Sequence, residues 1–130
     1  MALKFYPRAG QIFVGDFSDL KVPEITKKRP VIVISPKLPY RSELATIVPI
    51  STTAPRHTLP FVYQLSRNYT PWGELDLACW AKCDLVMNIS LGRLSAFKVD
   101  RRRYVYPTLS PEDLAGVRLA VLSALGLDGH

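Results

Sequence analysis

The stretch Lys27-Lys28-Arg29-Pro30-Val31-Ile32-Val33-Ile34-Ser35-Pro36 joins three adjacent cations to four consecutive β-branched residues bounded by prolines. β-Branched side chains are stiff at χ1 and fit a pleated surface, so Val31 to Ile34 reads as a strand. The run carries no polar residue, which requires cover on both faces of that strand. Pro30 is tolerated at the first residue of a strand, and Pro36 ends it. The expected strand is therefore 30–35, fed by a charged loop. Arg29 stands at the junction, held by rigid backbone yet close to water, a placement that suits a site residue.

Working outward, Gln11 to Phe17 sets Ile12 and Val14 against Phe13 and Gly15 and predicts a first strand. Ser18 to Lys28 is polar, carries Pro23 and Glu24, and reads as a loop of the length that often serves function. Lys37 to Leu44 is a turn. Ala45 to Ile50 is a third strand, ending in Ser51-Thr52-Thr53, and Ala54 to Leu59, with Arg56 and His57, is the next turn. Pro60 to Leu65 reads as a fourth strand and Ser66 to Asp76, with Tyr69 and Trp72, as a second long polar loop. Leu77 to Leu85 reads as a fifth strand, whose alternation sets Cys79, Ala81 and Cys83 against Trp80, Lys82 and Asp84. Arg93 to Val99 and Arg102 to Tyr106 suggest further strands near a sheet edge.

Ser110 as N-cap, Pro111 at the first helical position, and Glu112 and Asp113 in the first turn open a helix. Leu114, Val117, Val121 and Leu125, widened by Leu122, define its expected buried stripe, and Gly126 or Gly129 closes it. Strand after strand followed by one helix predicts a mainly β, single-domain chain over residues 1–130. Its architecture should be a small, strongly curved antiparallel barrel with a C-terminal helix appended.

Composition narrows the function. A chain of 130 residues buries roughly 65–70% of its unfolded surface, enough for a real core. Seventeen Lys and Arg against eleven Asp and Glu give a net charge of +6, which steers toward polyanions, nucleic acid before anionic membrane. Cys79 and Cys83 form a lone C-x-x-x-C pair that only His57 and His130 could complete, so neither a zinc site nor any other metal or cofactor is expected. Four strand residues span ~13 Å, too far for a disulfide, so two reduced thiols in a cytoplasmic protein are expected. Lys4 and Arg8 precede no apolar h-region, and no run approaches ~18 apolar residues, which predicts neither a signal peptide nor a membrane helix.

Polar groups gather at three strand ends. If the second and third strands are antiparallel neighbours, Arg29 at the start of one lies beside Ser51 at the end of the other. Lys82 and Asp84 share a face near the end of the fifth. Such a set suits metal-free cleavage of an RNA phosphodiester. The 2′-hydroxyl must lose a proton, the phosphorane needs positive charge, and the 5′-oxygen needs a proton. Asp84 can take the proton, Arg29 and Lys82 can hold the phosphate charge, and Ser51 or Thr52 can donate to a non-bridging oxygen. The plainer readings are a surface ion pair for Lys82 and Asp84, turn chemistry for Ser51-Thr52-Thr53, and solvated side chains for Glu24 and His57. Tyr69 and Trp72 can stack bases or simply pin their loop. Arg101 to Arg103 can grip phosphates or face water.

The chain resembles the PemK/MazF-like toxins of bacterial type II toxin–antitoxin systems. The likeness rests on G-x-I-F-V at Gly10 to Val14, E-x-x-x-x-R-P-V-I-V-I-S-P from Glu24 to Pro36, and I-V-P-I-S-T from Ile47 to Thr52. K-C-D at Lys82 to Asp84 and L-S-P-E-D-L from Leu109 complete it. The resemblance implies an SH3-like barrel of the PemK/MazF/CcdB kind, and a homodimeric, metal-independent endoribonuclease cutting single-stranded mRNA at short sequences. It also implies a cognate antitoxin whose acidic tail covers the basic groove. It places the family's site on Arg29, Ser51, Thr52, Lys82 and Asp84, and its loop glutamate on Glu24. Lys27, Lys28, Arg56 and His57 are the further RNA-binding candidates. Three departures stand out: the loop before Arg29 holds no glycine, Lys82 is an arginine in some relatives, and Gln11 replaces an acidic residue. A non-catalytic inhibitor, such as a topoisomerase poison, or an RNA-binding module on the same fold is the alternative.

Overall fold

A computed structural model describes residue 3 and residues 5–129; Lys4 and His130 lie outside the described residues. In order they form β1 (Ile12–Phe17), β2 (Lys27–Val33), β3 (Leu44–Ser51), β4 (Val62–Gln64), β5 (Trp80–Lys82), β6 (Met87–Ser90), β7 (Leu94–Ser95), β8 (Phe97–Asp100), β9 (Arg103–Val105) and α1 (Pro111–Ala124).

The cation-rich half of the opening stretch is strand, not loop. β2 starts at Lys27 because Lys27, Lys28 and Arg29 pair with Phe17, Asp16 and Gly15 of β1. Backbone pairing has outweighed the absence of an apolar pattern there. The other half behaves as its composition requires, with Val31, Ile32 and Val33 fully buried. Val31 and Val33 join Phe13, Phe17, Ala45 and Ile47 in one core, while Ile32 points the other way into a second with Ile12, Val48, Val117 and Val121. Each such side chain contributes roughly 1.5–3 kcal/mol by burial. A slip of one residue would exchange the two faces, and the different sizes of the facing side chains oppose it.

The main sheet runs β4-β5-β3-β2-β1-β7, with β6 also on β3, and β8 and β9 form a separate hairpin. The mainly β class with one C-terminal helix is as expected, and the curved sheet is left open: among the described residues no ladder joins β4 to β7. The inner turn of the sheet is completed by chain continuity instead. β6 borders β3, β7 borders β1, and only a 3-10 turn at Leu91–Arg93 separates β6 from β7. Phe13, Val31, Ile47, Ile89 and Leu94 fill the space so enclosed.

β4 and β5 are shorter than expected, three residues each. The predicted fifth strand stops at Lys82, where Cys83–Leu85 winds into a 3-10 turn, and β6 follows unanticipated. This turn solves a register problem. Ala81 faces Ile50 of β3, whereas Met87 faces Ile47, so three steps along β3 meet six along the other strand. The turn absorbs the difference and leaves Asp84 exposed beside β3.

α1 begins as expected, with the Ser110 hydroxyl accepting from the Asp113 N–H at 3.1 Å and Pro111 in the first turn. It ends at Gly126, whose φ of 71° suits glycine, with Leu127 N–H donating to the Leu122 carbonyl at 2.7 Å. The stripe is displaced from the one predicted. Asp113, Val117, Ala120 and Val121 are buried, whereas Leu122 and Leu125 are 40% and 55% exposed. Asp113 is therefore a core residue and not merely a dipole partner. Its carboxylate accepts from the hydroxyls of Tyr63 (2.8 Å), Ser66 (2.6 Å) and Tyr69 (2.7 Å) and from the Ser66 N–H (3.1 Å). Burial would raise its pKa, but the hydrogen bonds from Ser66, Tyr69 and Tyr63 outweigh that and hold it below the ordinary value. Gly116 makes this contact possible, because a Cβ there would stand 2.1 Å from the Tyr63 ring. A mid-helix glycine costs about 1 kcal/mol against alanine, which the Tyr63–Asp113 bond offsets.

Candidate active site

Two prolines shape the place where β2 and β3 end their pairing. The ladder runs Val33↔Ile47, Ile32↔Val48, Val31↔Pro49 and then stops. Neither Pro30 nor Pro49 has an N–H to continue it. Extending the same register sets Arg29 opposite Ser51, as the sequence predicts, two steps past the last rung. Two hollows open there and share Arg29, Ile50 and Ser51 as a common wall.

The first hollow, about 370 Å³, collects the predicted set. Glu24 and Thr26 line it from the β1–β2 loop, Arg29 from β2, Ser51 from β3, Lys82 from β5 and Asp84 from the 3-10 turn. The second, about 250 Å³, lies on the other side of Arg29 and takes in Lys28, Thr52, Thr70 and Trp72. Lys27 is exposed at a φ of 68° and lines neither hollow. Arg56 and His57 line a third depression with Pro55, Gln64 and Trp80, apart from the other candidates.

Hydrogen bonding leaves the chemistry-bearing groups free. Arg29 donates Nε–H to the Thr26 carbonyl at 3.0 Å, which fixes the guanidinium plane and leaves its terminal nitrogens to the hollow. The Ser51 hydroxyl oxygen accepts from the Thr53 N–H at 3.0 Å, so its proton points elsewhere and can be donated. Lys82 and Asp84 do not pair. Among the described residues, the one ion pair within 4.0 Å joins Arg93 to Asp19. The surface-pair reading of Lys82 and Asp84 therefore does not describe them. Two cations with no carboxylate partner beside an unpaired carboxylate and a hydroxyl are a set whose chemistry suits an anion with a nearby proton to lose.

Neither thiol belongs to this set, although Cys79 lines the second hollow. Both cysteines are free and buried. Burial, aided by the Asp84 charge, pushes the Cys83 thiol up to about 12, and burial alone raises Cys79. Neither is a nucleophile near neutral pH.

The sequence pattern of the PemK-like, MazF-like toxins of type II toxin–antitoxin systems matches residues 8–125. The chain belongs to this family. An uncharacterized protein of Escherichia coli strain K12, YifN, is 26% identical over 96% of this chain and 95% of its own length. MazF of Deinococcus radiodurans has the same fold at a TM-score of 0.67 and 22% identity, over 95% of this chain and 99% of that one. An endoribonuclease from a mycobacterial species, solved with its cognate antitoxin, aligns at a TM-score of 0.62 and 20% identity, over 93% and 96%. At these identities the solved structures establish the PemK/MazF-like fold.

Two features of the site escape the sequence. Thr26 matters through its backbone carbonyl, which no residue type signals. Pro49 is visible inside I-V-P-I-S-T, but its effect on the ladder depends on Pro30 lying nearly opposite it.

Proposed function

We propose that this PemK/MazF-like protein is a toxin that cuts single-stranded mRNA at short sequences without a metal, acting in the cytoplasm as a single-domain homodimer. The observation that carries this reading is the hollow where unpaired Arg29 and Lys82 meet Asp84, Ser51 and Glu24. RNA supplies its own nucleophile, so no metal-bound water is needed. Asp84 takes the proton of the 2′-hydroxyl, the O2′–P bond forms, and negative charge grows on the phosphorane. Arg29 and the Ser51 hydroxyl, with Thr52 beside it, stabilise that charge. A delocalised guanidinium gives up a proton far less readily than an ammonium, so Lys82 gives the proton to the 5′-oxygen as the P–O5′ bond breaks. The products are a 2′,3′-cyclic phosphate and a 5′-hydroxyl. Glu24, Lys28 and, farther out, Lys27, Arg56 and His57 bind the flanking RNA. A cognate antitoxin with an acidic segment fits the net charge of +6 and would compete for the same groove.

Incubating the purified protein with single-stranded RNA in EDTA tests this. Discrete fragments ending in cyclic phosphate, absent with Arg29→Ala, are expected. Intact RNA, together with an Arg29→Ala variant that still arrests cell growth, would assign the toxicity to a non-catalytic target.

A further inference from the structure

The second hollow, beyond the common wall of Arg29, Ile50 and Ser51, gives the chemistry above only Thr52 and Lys28 at its rim and leaves Trp72 and Thr70 without a role. We infer that it is a stacking subsite for one unpaired base next to the scissile phosphate, with Trp72 as its floor. This rests on the nuclease reading for its neighbour but not for its own geometry.

The β4–β5 loop is built to hold Trp72 still. Asn68, only 2% exposed, uses its whole side chain for this purpose. Its amide nitrogen donates to the Trp72 carbonyl at 2.7 Å and the Glu74 carbonyl at 3.0 Å. Its oxygen accepts from the N–H and hydroxyl of Thr70 at 3.0 and 2.9 Å. The Thr70 hydroxyl in turn accepts from the Trp72 N–H at 3.2 Å. The loop turns at Gly73, whose φ is 86°. Its other aromatic residue, Tyr69, is consumed by Asp113 and by the Ser110 N–H. Trp72 is different: its ring packs edge-on against buried Phe97 at 5.0 Å and 78°, while 44% of the residue stays in solvent.

A large apolar ring, fixed by a buried amide and left half exposed in a hollow, is a preorganised surface for a flat ligand. The occupant follows from the neighbours. Arg29 and Ser51 stand between this hollow and the proposed cleavage site, so a chain whose phosphate sits on Arg29 leads its next base into it. Lys28, Thr52 and Thr70 supply a cation and hydroxyls around the ring. The volume, about 250 Å³, lies below the ~300–1,000 Å³ of drug-sized pockets and suits one base. Every base has a π-face, so stacking contributes affinity, and the hydroxyls supply preference.

Two measurements test this. Tryptophan fluorescence of the intact protein is titrated with a pool of 2′-O-methyl RNA hexamers, whose blocked 2′-oxygen cannot attack. Quenching that disappears in Trp72→Phe supports the subsite. Its absence, or its persistence in Trp72→Phe, overturns the inference, as does quenching by an acidic peptide but not by RNA. In cleavage assays, Trp72→Leu should lower kcat/KM roughly tenfold, with Trp72→Phe recovering most of it because a benzene ring still stacks. Equal kcat/KM for wild type and Trp72→Leu would remove the subsite and leave the nuclease standing. Quenching through Trp72 without any cleavage would keep the subsite and remove the nuclease.

Discussion

Two long loops flank Arg29, and they are held in opposite ways. The β1–β2 loop, residues 18–26, is mostly exposed and is tied at its edge by one bidentate pair, Arg93 with Asp19 at 2.6 and 3.0 Å. Leu20 and Ile25 are its only partly buried apolar contacts with the inner core. The β4–β5 loop, residues 65–79, is organised from within by Asn68 and Tyr69, both buried and both saturated with hydrogen bonds. An exposed ion pair is screened and contributes little, whereas a buried amide that loses its partners leaves them unsatisfied in the interior. The first loop brings Glu24 and the Thr26 carbonyl to the site on a light tether. The second brings Trp72 on a fixed mount. Adaptable contacts and rigid contacts thus meet across one arginine.

The largest effect expected is at that arginine. Arg29→Ala removes the group both hollows share and should lower RNA cleavage roughly 100-fold or more while the protein stays folded, as read by single-turnover kinetics beside circular dichroism. A loss of only a few fold would mean that the loops, and not the shared wall, hold the phosphate. Asn68→Ala comes next, with about 3 kcal/mol of stability lost in urea denaturation, because two carbonyls and the Thr70 donors lose their partner. A neutral result would show that the second loop is no better anchored than the first.

Asp113→Asn should cost about 2 kcal/mol, since one amide nitrogen replaces an acceptor facing Tyr63, Ser66 and Tyr69. Its pH dependence has a definite sign. The Asp113 carboxyl is held below its ordinary value of 3.8, so its stabilisation is complete above that value and is lost as pH falls through the lowered one. The gap between wild type and Asp113→Asn in thermal melts should therefore be widest near neutrality and narrow at strongly acid pH. The smallest effect belongs to the first loop: Asp19→Asn should leave the melting temperature nearly where it was. A large drop there would erase the contrast between the loops.

What the sequence shows and what it hides divides along the same physical line. Val31 to Val33 is legible because an unbroken β-branched run has one good environment, a strand buried on both faces. The adjacency of Arg29 and Ser51 is legible because antiparallel pairing fixes it once two consecutive strands are granted. Ser110 and Pro111 announce α1 through local chemistry. The rest depends on distant partners. Lys27 to Arg29 became strand because β1 lies alongside. β6 is hidden because Met87-Asn88-Ile89-Ser90 holds one buried residue and no strong pattern. The 3-10 turn that presents Asp84 exists to reconcile two registers on β3, which no window of sequence contains. Asp113 reads as a helix-start acid, and only the arrival of Tyr63, Ser66 and Tyr69 makes it a core residue. Arg56 and His57 suit RNA by residue type, and only the β3–β4 turn decides that they line a depression of their own.

β3 has a consequence for the order of events during synthesis. One half of its far edge is matched by β5 and the other by β6, with β2 on the near edge. Its partners thus span residues 31 to 90, and α1, which covers one of its two cores, follows all of them in the chain. Such non-local pairing places folding in the slow range, milliseconds to seconds for a domain rich in strand pairs. A growing chain that has already delivered Arg29 and Ser51 still lacks Lys82, Asp84 and the helix behind them. The groove therefore cannot assemble until the chain has been made through Asp84 and on through the helix that packs behind it.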